Sequence, residues 1–500
     1  MCGIAGILGR VADRAVITRM LDEQRHRGPD GRGIWVSPEG HFTLGHDRLA
    51  IVDLAGGDQP LANEDQTLWL AVNGEIYNHE ALRRELEGRH HFRTSSDSEA
   101  VLHLFEEEGP ECVRRLDGMF AIALWGQDGR LFLARDPLGI KPLYYGCDAN
   151  DNFRFSSEIG ALVEQVAEVR ELPPGHYMFA GQQPVQFYKV PAPAATMTDP
   201  DEAVALLDAA LEQAVNKRLM ADVPVGVFLS GGLDSSLIAA IMRKQVSGAL
   251  HSFSVGVKGS ADLLNARRVA ADLGTIHHER VLAPREVLDV LPGVVTALES
   301  CDPALVRSAI PTYFVSELAA RYVKVVLSGE GADELFAGYH YLSEFEPEPA
   351  ALSQELHLTT RSLHNSNLQR VDRMTMAHGL EGRVPFLDQA IVALAFRIDP
   401  ALKRRNGEGK WVLRKVAERY LPSTIVWRNK EKFASGTGVG PLLEQYANGL
   451  GRDGEDGACA CAEEALYWSF FRDRYGRADV LAAMGRSRSL GEGQRWVSAL

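Results

Sequence analysis

Residues 227–237 read VFLSGGLDSSL. The apolar run that ends there, VPVGVFL (223–229), has the length and β-branched content of a buried strand, and LIAAIMRKQV (237–246) has helical spacing. Between them, S-G-G-x-D-S-S forms a strand–loop–helix anion site. Gly231 and Gly232 let backbone N–H groups approach a phosphate, the helix start adds partial positive charge, and Ser230, Ser235 and Ser236 can donate to phosphate oxygens. Asp234 would repel a bare phosphate, so it points to a divalent cation held beside one. The loop lacks the lysine of G-x-x-x-x-G-K-[ST], which disfavours a P-loop NTPase. The plainer reading is a glycine turn with an Asp/Ser helix cap.

Working outward, VVLSGEGADELFAGY (325–339) repeats the pattern of strand, glycine turn and acidic helix start, and supplies Ser328, Gly329, Glu330, Asp333 and Glu334. Asp333 is placed to be a second carboxylate on the metal. The helical run DEAVALLDAALEQAVNKRLM (201–220) comes before the strand candidates, and LHSFSVGV (250–257) and VKVVLSG (323–329) alternate with helical segments. That alternation implies a parallel sheet with crossover helices, and the C-terminal third has mainly helical spacing. Residues 201–500 are therefore expected to be α/β with extra helices.

The first 190 residues have another texture. TLWLAVNGEIYN, MFAIALWGQDGRLFLARD and PLYYG alternate with period two around turns such as Gln127–Gly129. EALRRELEG and SEAVLHLFEEEG carry helical spacing that ends at glycine. This half reads as α+β with much antiparallel sheet. Residues 191–200, Pro/Ala-rich and aperiodic, read as a linker. The segment 448–464 reads as a flexible loop.

The net charge of −14 argues against a nucleic-acid binder with a broad basic face. No apolar run reaches membrane-spanning length, and the N-terminus lacks the charged start of a signal peptide. Six cysteines in 500 residues give no disulfide framework, so a cytoplasmic, reducing setting is expected. Cys459 and Cys461 lack a second ligand pair for zinc, and His277 and His278 read as ordinary polar residues.

The loop at 230–236 resembles the pyrophosphate loop of the ATP pyrophosphatases, which adenylate a substrate. Together with 325–339 it resembles one branch, the glutamine-hydrolysing asparagine synthetases. RHRGPDG (25–31), HDRLAIVD (46–53), VNGEIYN (72–78), TSSDSEA (94–100), NLQRVDRMTMAHGLEGRVPFLD (367–388) and WRNKEKFASGTGVG (427–440) fit that family in order. The resemblance implies an N-terminal αββα amidotransferase over 1–190 with two antiparallel sheets, and an ATP-dependent synthetase over 201–500.

It also explains why the chain begins MCGIAGIL. By itself Cys2 reads as a buried small residue. In the family, Met1 is removed and Cys2 becomes a nucleophile whose own α-amine is the base. The resemblance implies Asn73 and Gly74 as oxyanion donors, and Arg48, Asn73, Gly74, Glu75 and Asp97 around glutamine. It implies Leu229, Ser230, Gly231, Gly232, Asp234, Ser235, Ser236, Val255, Ser328 and Gly329 around ATP, with Mg²⁺ on Asp234 and Asp333. Glu330 would steer the acceptor or take a proton from ammonia, Lys430 would neutralise departing pyrophosphate, and Arg307 would hold the acceptor. Arg373 and Arg383 are expected in structural ion pairs. The implied ligase makes asparagine from glutamine, ATP and aspartate, with ammonia passing internally between the domains of a homodimer. The departure is SCDPALVRSAIPTYF (300–314), where Ala304 and Leu305 replace expected threonines. That leaves open an amidotransferase acting on a different carboxylate, such as a specialised metabolite or peptide. A regulatory binding protein with degenerate catalysis is the reading from another class.

Overall fold

The strand Cys2–Leu8 pairs antiparallel with Phe42–Arg48 on one side and Phe153–Ser156 on the other. It lies inside a six-stranded sheet in the computed structural model, which describes residues 2–9, 13–428, 433–450 and 461–484. A second six-stranded sheet is built on Leu68–Ile76, paired along its length with Gly118–Gly126. Period-two alternation sorts their side chains. Ile4, Ala71, Ala121, Leu133 and Phe155 fill the space between the sheets. Val72, Ile76, Phe120 and Ile122 face outward against the helices His79–Leu86 and Glu99–Glu108. Ala5 and Ile7 face the opposite outer layer, where helix Arg14–Glu23 packs through Val16, Ile17 and Met20. The N-terminal half is thus a four-layer αββα sandwich.

The proline-rich stretch that follows is docked rather than loose. Ala194 and Met197 donate backbone N–H bonds to Phe396 and Arg397, both at 2.9 Å. Met197 is the reason: its side chain is buried in the second core. The next helix begins one residue earlier than its apolar pattern suggests, at Pro200, with Asp199 accepting from the Asp201 and Glu202 N–H groups.

The C-terminal half holds five parallel strands in the order Ile276–Leu282, His251–Val257, Val225–Phe228, Val325–Leu327, Glu381–Arg383. The sheet grows outward from Val225–Phe228 in one direction, then restarts on its other side with Val325–Leu327. The crevice between these two strands is a topological switch point, where open α/β sheets bind ligands. Both glycine–acid loops leave from it. Two strands do not follow the sequence expectation. Ile276–Leu282 is largely solvent-exposed and polar, and Glu381–Arg383 is three residues of buried charge and glycine. Neither carries an apolar signal.

Helix Asn367–Met376 joins the halves. Arg27, fully buried, grips Asp372 with both guanidinium nitrogens (2.8 and 3.1 Å), reaches Glu158 at 2.9 Å, and donates to the Cys2 carbonyl at 3.1 Å. Lys141 and Arg373 also reach Asp372, at 3.4 and 3.3 Å. Removing this shared carboxylate takes one anion away from three buried cations, although Arg27 keeps Glu158 and Arg373 keeps Glu299. Asp372→Ala is expected to destabilise the protein by about 3–5 kcal/mol. Thermal denaturation would show it, and Arg27→Met combined with Asp372→Leu would recover much of the loss.

Candidate active sites

Cys2 has the same parity as Ile4, so its side chain points between the sheets. Asn73 and Glu75 point there from the opposing sheet. The Cys2 N–H donates to Asn73 Oδ1 at 3.1 Å, which fixes the amide and turns Nδ2 the other way. That Nδ2 is buried and has no hydrogen-bond partner. A buried amide donor left unpaired costs about 1–3 kcal/mol, so it marks a site built for an acceptor.

The neighbouring backbone offers a second donor. Phe120, opposite Gly74, sends its carbonyl and N–H to Asp136, away from Gly74. The Gly74–Phe120 pair is therefore a non-hydrogen-bonded one, and the Gly74 N–H faces the free edge. Along that edge Val72 donates to Gln59 Oε1 and Ile76 to Asp97 Oδ2, both at 2.7 Å, with Gly74 between them. A Cβ at Gly74 would lie 2.0 Å from the Met119 carbonyl, so no larger residue fits.

Burial pushes the Cys2 thiol above its ordinary value, against a hydrogen bond from the Leu49 N–H and the nearby Arg48 charge that favour thiolate. A neutral thiol needs a base. Glu75 is raised well above the usual carboxylate range by burial and then by the Glu381 and Asp97 charges, and Asp97 is raised chiefly by burial. A cluster of buried acids with raised pKa values is stabilised by an incoming cation. Arg48 closes the pocket's other side, held at 2.6 Å to the Asp53 carbonyl and 2.9 Å to Asp58.

In the second half, Gly231 turns the chain at φ +70°, where a Cβ would lie 2.4 Å from the Asn265 backbone. Ser235 Oγ sits 3.2 Å from the Ser230 N–H and 3.1 Å from Ser230 Oγ, closing the loop on itself. Ser236 Oγ is buried without a partner. The two strand-end loops touch: a Cβ on Gly329 would meet Asp234 Cβ at 3.0 Å. Asp234 and Asp333 converge on one point, the ammonium of Lys410, at 2.6 Å each. Asp234 Oδ1 is buried and has no hydrogen-bond partner. Two convergent carboxylates already sharing a cation, with a spare oxygen, suit a hard divalent ion such as Mg²⁺. Beside them Arg370, from the joining helix, binds Glu330. Glu334 is pushed up to about 7 by burial and the Asp333 charge, and takes hydrogen bonds from Tyr339 and from Asn367 (2.8 Å).

Comparison with known proteins agrees with this pairing of sites. A model of the glutamine amidotransferase domain matches residues 1–189, and the asparagine synthase model matches 206–348 and 343–475. A Dictyostelium discoideum protein, probable asparagine synthetase (glutamine-hydrolyzing), is 40% identical over 477 residues, covering 88% of this chain and 85% of its own. Asparagine synthetase B of Escherichia coli is 41% identical over 465 residues, covering 88% and 83%. A rice asparagine synthetase is 40% identical over 474 residues, covering 90% and 80%. The chain belongs to the glutamine-hydrolysing asparagine synthetase family.

Of the residues singled out from sequence, the fold brings Cys2, Arg48, Asn73, Gly74, Glu75 and Asp97 to one end of the sandwich. It gathers Ser230, Gly231, Gly232, Asp234, Ser235, Ser236, Ser328, Gly329, Glu330 and Asp333 at the switch point. Leu229 and Val255 are buried in the core, so only their backbone can face a nucleotide. Arg373 pairs with Glu299 at 2.6 Å and Arg383 with Glu381 at 2.5 Å, both fully buried. Lys430, Met1 and Cys459 lie outside the described residues, as do 451–460 within the segment 448–464. Lys410, Arg370 and Asn367 were not singled out. Lys410 sits in GEGKWV, a stretch with no site pattern of its own.

The acceptor pocket needs correction. Arg307 does not stand open: its guanidinium holds Glu463, at 2.9 Å from Nε, on the helix Ala462–Tyr475. Leu305 is buried in the core beside Val306, Ala309 and Ile310 rather than facing a polar pocket. Leu305→Thr is therefore expected to cost about 2–5 kcal/mol, the range for truncating a core leucine. Aspartate KM should be unchanged in steady-state assays of the folded fraction, alongside a lower Tm.

Proposed function

We propose that this protein makes asparagine from aspartate, ATP and ammonia released from glutamine. The observation that carries this reading is the orphaned Asn73 Nδ2 beside Cys2, on a chain that also converges Asp234 and Asp333 at a switch point. With Met1 removed, the Cys2 nitrogen is an α-amine oriented by Asn73 Oδ1. That amine takes the thiol proton, and sulfur attacks the glutamine side-chain carbon. The oxyanion lies between Asn73 Nδ2 and the Gly74 N–H. The amine returns its proton to the leaving nitrogen, ammonia departs, and water cleaves the thioester to glutamate. Glu75 and Asp97 receive the glutamine ammonium, and Arg48 its carboxylate.

In the second site the loop 230–236 holds the phosphates, with Ser235 and Ser236 as hydroxyl donors. The aspartate side-chain carboxylate attacks the α-phosphorus of ATP, pyrophosphate leaves, ammonia attacks the acyl-adenylate, and AMP departs. Glu330, fixed by Arg370, takes the proton that ammonia loses. Mg²⁺ held by Asp234 and Asp333 would neutralise phosphate charge. We assign Lys430 to the departing pyrophosphate and Arg307 to the acceptor after Glu463 releases it. Ammonia passes along the interface that Arg27 and Asp372 close. The reading includes a cytoplasmic homodimer of chains divided at 191–200. No helix among the described residues is long and apolar enough to cross a membrane. With Leu305 in the core, the argument for a different acceptor is left with half-buried Ala304 alone.

The test is to incubate the full chain with ATP, Mg²⁺, aspartate and either glutamine or ammonium. Asparagine, AMP and pyrophosphate should appear in equal amounts, with glutamate only when glutamine is supplied. Glutamate without asparagine would overturn the synthetase half.

A further inference from the structure

On the outer layer of the sandwich, two histidines and two glutamates meet. His103 and Glu106 lie one turn apart on helix Glu99–Glu108, His90 comes from the loop before it, and Glu64 from the turn ahead of strand Leu68–Ile76. One ligand atom from each lies within 4.8 Å of all the others. Nδ1 of both rings faces the same two carboxylates. His90 Nδ1 is 3.6 Å from Glu64 and 3.5 Å from Glu106. His103 Nδ1 is 3.7 Å from Glu64 and 2.8 Å from Glu106. Ligands at zinc bond lengths of about 2.0–2.1 Å stand about 3.3 Å apart in a tetrahedron. Both rings approach that spacing to Glu106 Oε2, while His90 faces Glu64 Oε1 and His103 faces Glu64 Oε2, so a small turn of the Glu64 carboxylate would bring one oxygen to the ion.

The surroundings are those of a metal site. The His90 ring is backed at hydrogen-bond distance, its Nε2 standing 2.9 Å from Glu107, whereas His103 Nε2 makes no hydrogen bond and lies 3.7 Å from the Glu99 carboxylate. Glu99 is itself buried and fixed by the Arg93 and Thr94 N–H groups at 2.7 and 2.8 Å. Carboxylates behind histidine ligands fix the ring and raise its basicity. The ligand carboxylates are steadied too, Glu64 by the His91 N–H (2.7 Å) and Glu106, through its other oxygen, by Asn63 Nδ2 (2.8 Å). His103 is buried, while Glu64 is about one-third exposed and gives an entry path. The geometry points to a structural zinc site formed by Glu64, His90, His103 and Glu106. Zinc would replace the proton between His103 and Glu106 and tie the turn, the loop and the helix together. The helix and the loop flank the segment that carries Asp97.

The test uses the full chain in a Cys2→Ala background, which removes the reactive thiol. Metal-stripped protein is titrated with Zn²⁺ while Tm and bound metal are followed, and with Co²⁺ for tetrahedral d–d absorption. The expected result is one ion per chain with a raised Tm, lost in His90→Ala and in Glu64→Gln. Both positions are near the surface, so these variants fold even if His103→Ala does not. Glu107→Gln should weaken binding about 10–100-fold. Absence of a zinc-dependent Tm shift in the parent, or its survival in either first variant, overturns the site.

Discussion

Cys2→Ala is expected to abolish glutamine-dependent synthesis while ammonia-dependent synthesis continues near the parental rate. Deleting a covalent nucleophile costs about 10⁴-fold or more. The geometry makes the loss specific. Alanine keeps the backbone N–H that holds Asn73 Oδ1, so the amide and its orphaned Nδ2 stay in place. Arg27 still finds the carbonyl of residue 2. The variant therefore retains the glutamine pocket and the interface, and lacks only sulfur. Ammonia entering the second site meets the same Glu330–Arg370 pair. Glutamate release and asparagine formation, assayed with each nitrogen source, decide the matter. An equal loss with both sources would show that residue 2 supports the second site, and the division of labour would fail.

The sequence is most legible where chemistry needs an unusual residue in a fixed local order. S-G-G-x-D-S-S demands a strand, a turn and a helix within eleven residues, and all three are present. Period two marks Leu68–Ile76 and Gly118–Gly126 because one face of each meets an apolar layer. What could not be read is what the fold supplies from far away. Lys410 is 176 residues from Asp234, and nothing in GEGKWV shows that its side chain turns into the crevice. The resemblance implies Arg307 as an acceptor ligand, and only the fold shows Glu463, 156 residues later, on its guanidinium. Leu305 reads as a pocket residue because the family resemblance places a threonine there. On a helix, residues two apart face different directions, and Leu305 faces the core. His90 and His103 lack metal-ligand spacing, since the intervening residues leave one element and enter another. Glu381–Arg383 is a strand by pairing alone, because buried ion pairs replace the apolar signal.

Asp234→Asn is the complementary experiment, and its expected result is loss of pyrophosphate release with either nitrogen source by about 10³-fold, while glutamine is still hydrolysed. The substitution keeps shape and removes one charge. Lys410 divides itself between Asp234 and Asp333; burial opposes its charge, and the two carboxylates outweigh burial and hold the ammonium firmly charged. Asparagine leaves that buried ammonium with Asp333 alone, so some stability is lost as well. The glutaminase half supplies the control, because its rate reports whether the chain has folded. Losing preorganised charge where charge develops costs about 3–4 kcal/mol in other enzymes, which is the basis of the expected factor. A purely structural Asp234 would lower Tm and both activities together. An Asp234 that shares a divalent ion with Asp333 would lower adenylation alone and raise the Mg²⁺ concentration needed for half-maximal rate. Pyrophosphate release at the parental rate would remove Asp234 from the metal site, and the convergence on Lys410 would then be a structural ion pair.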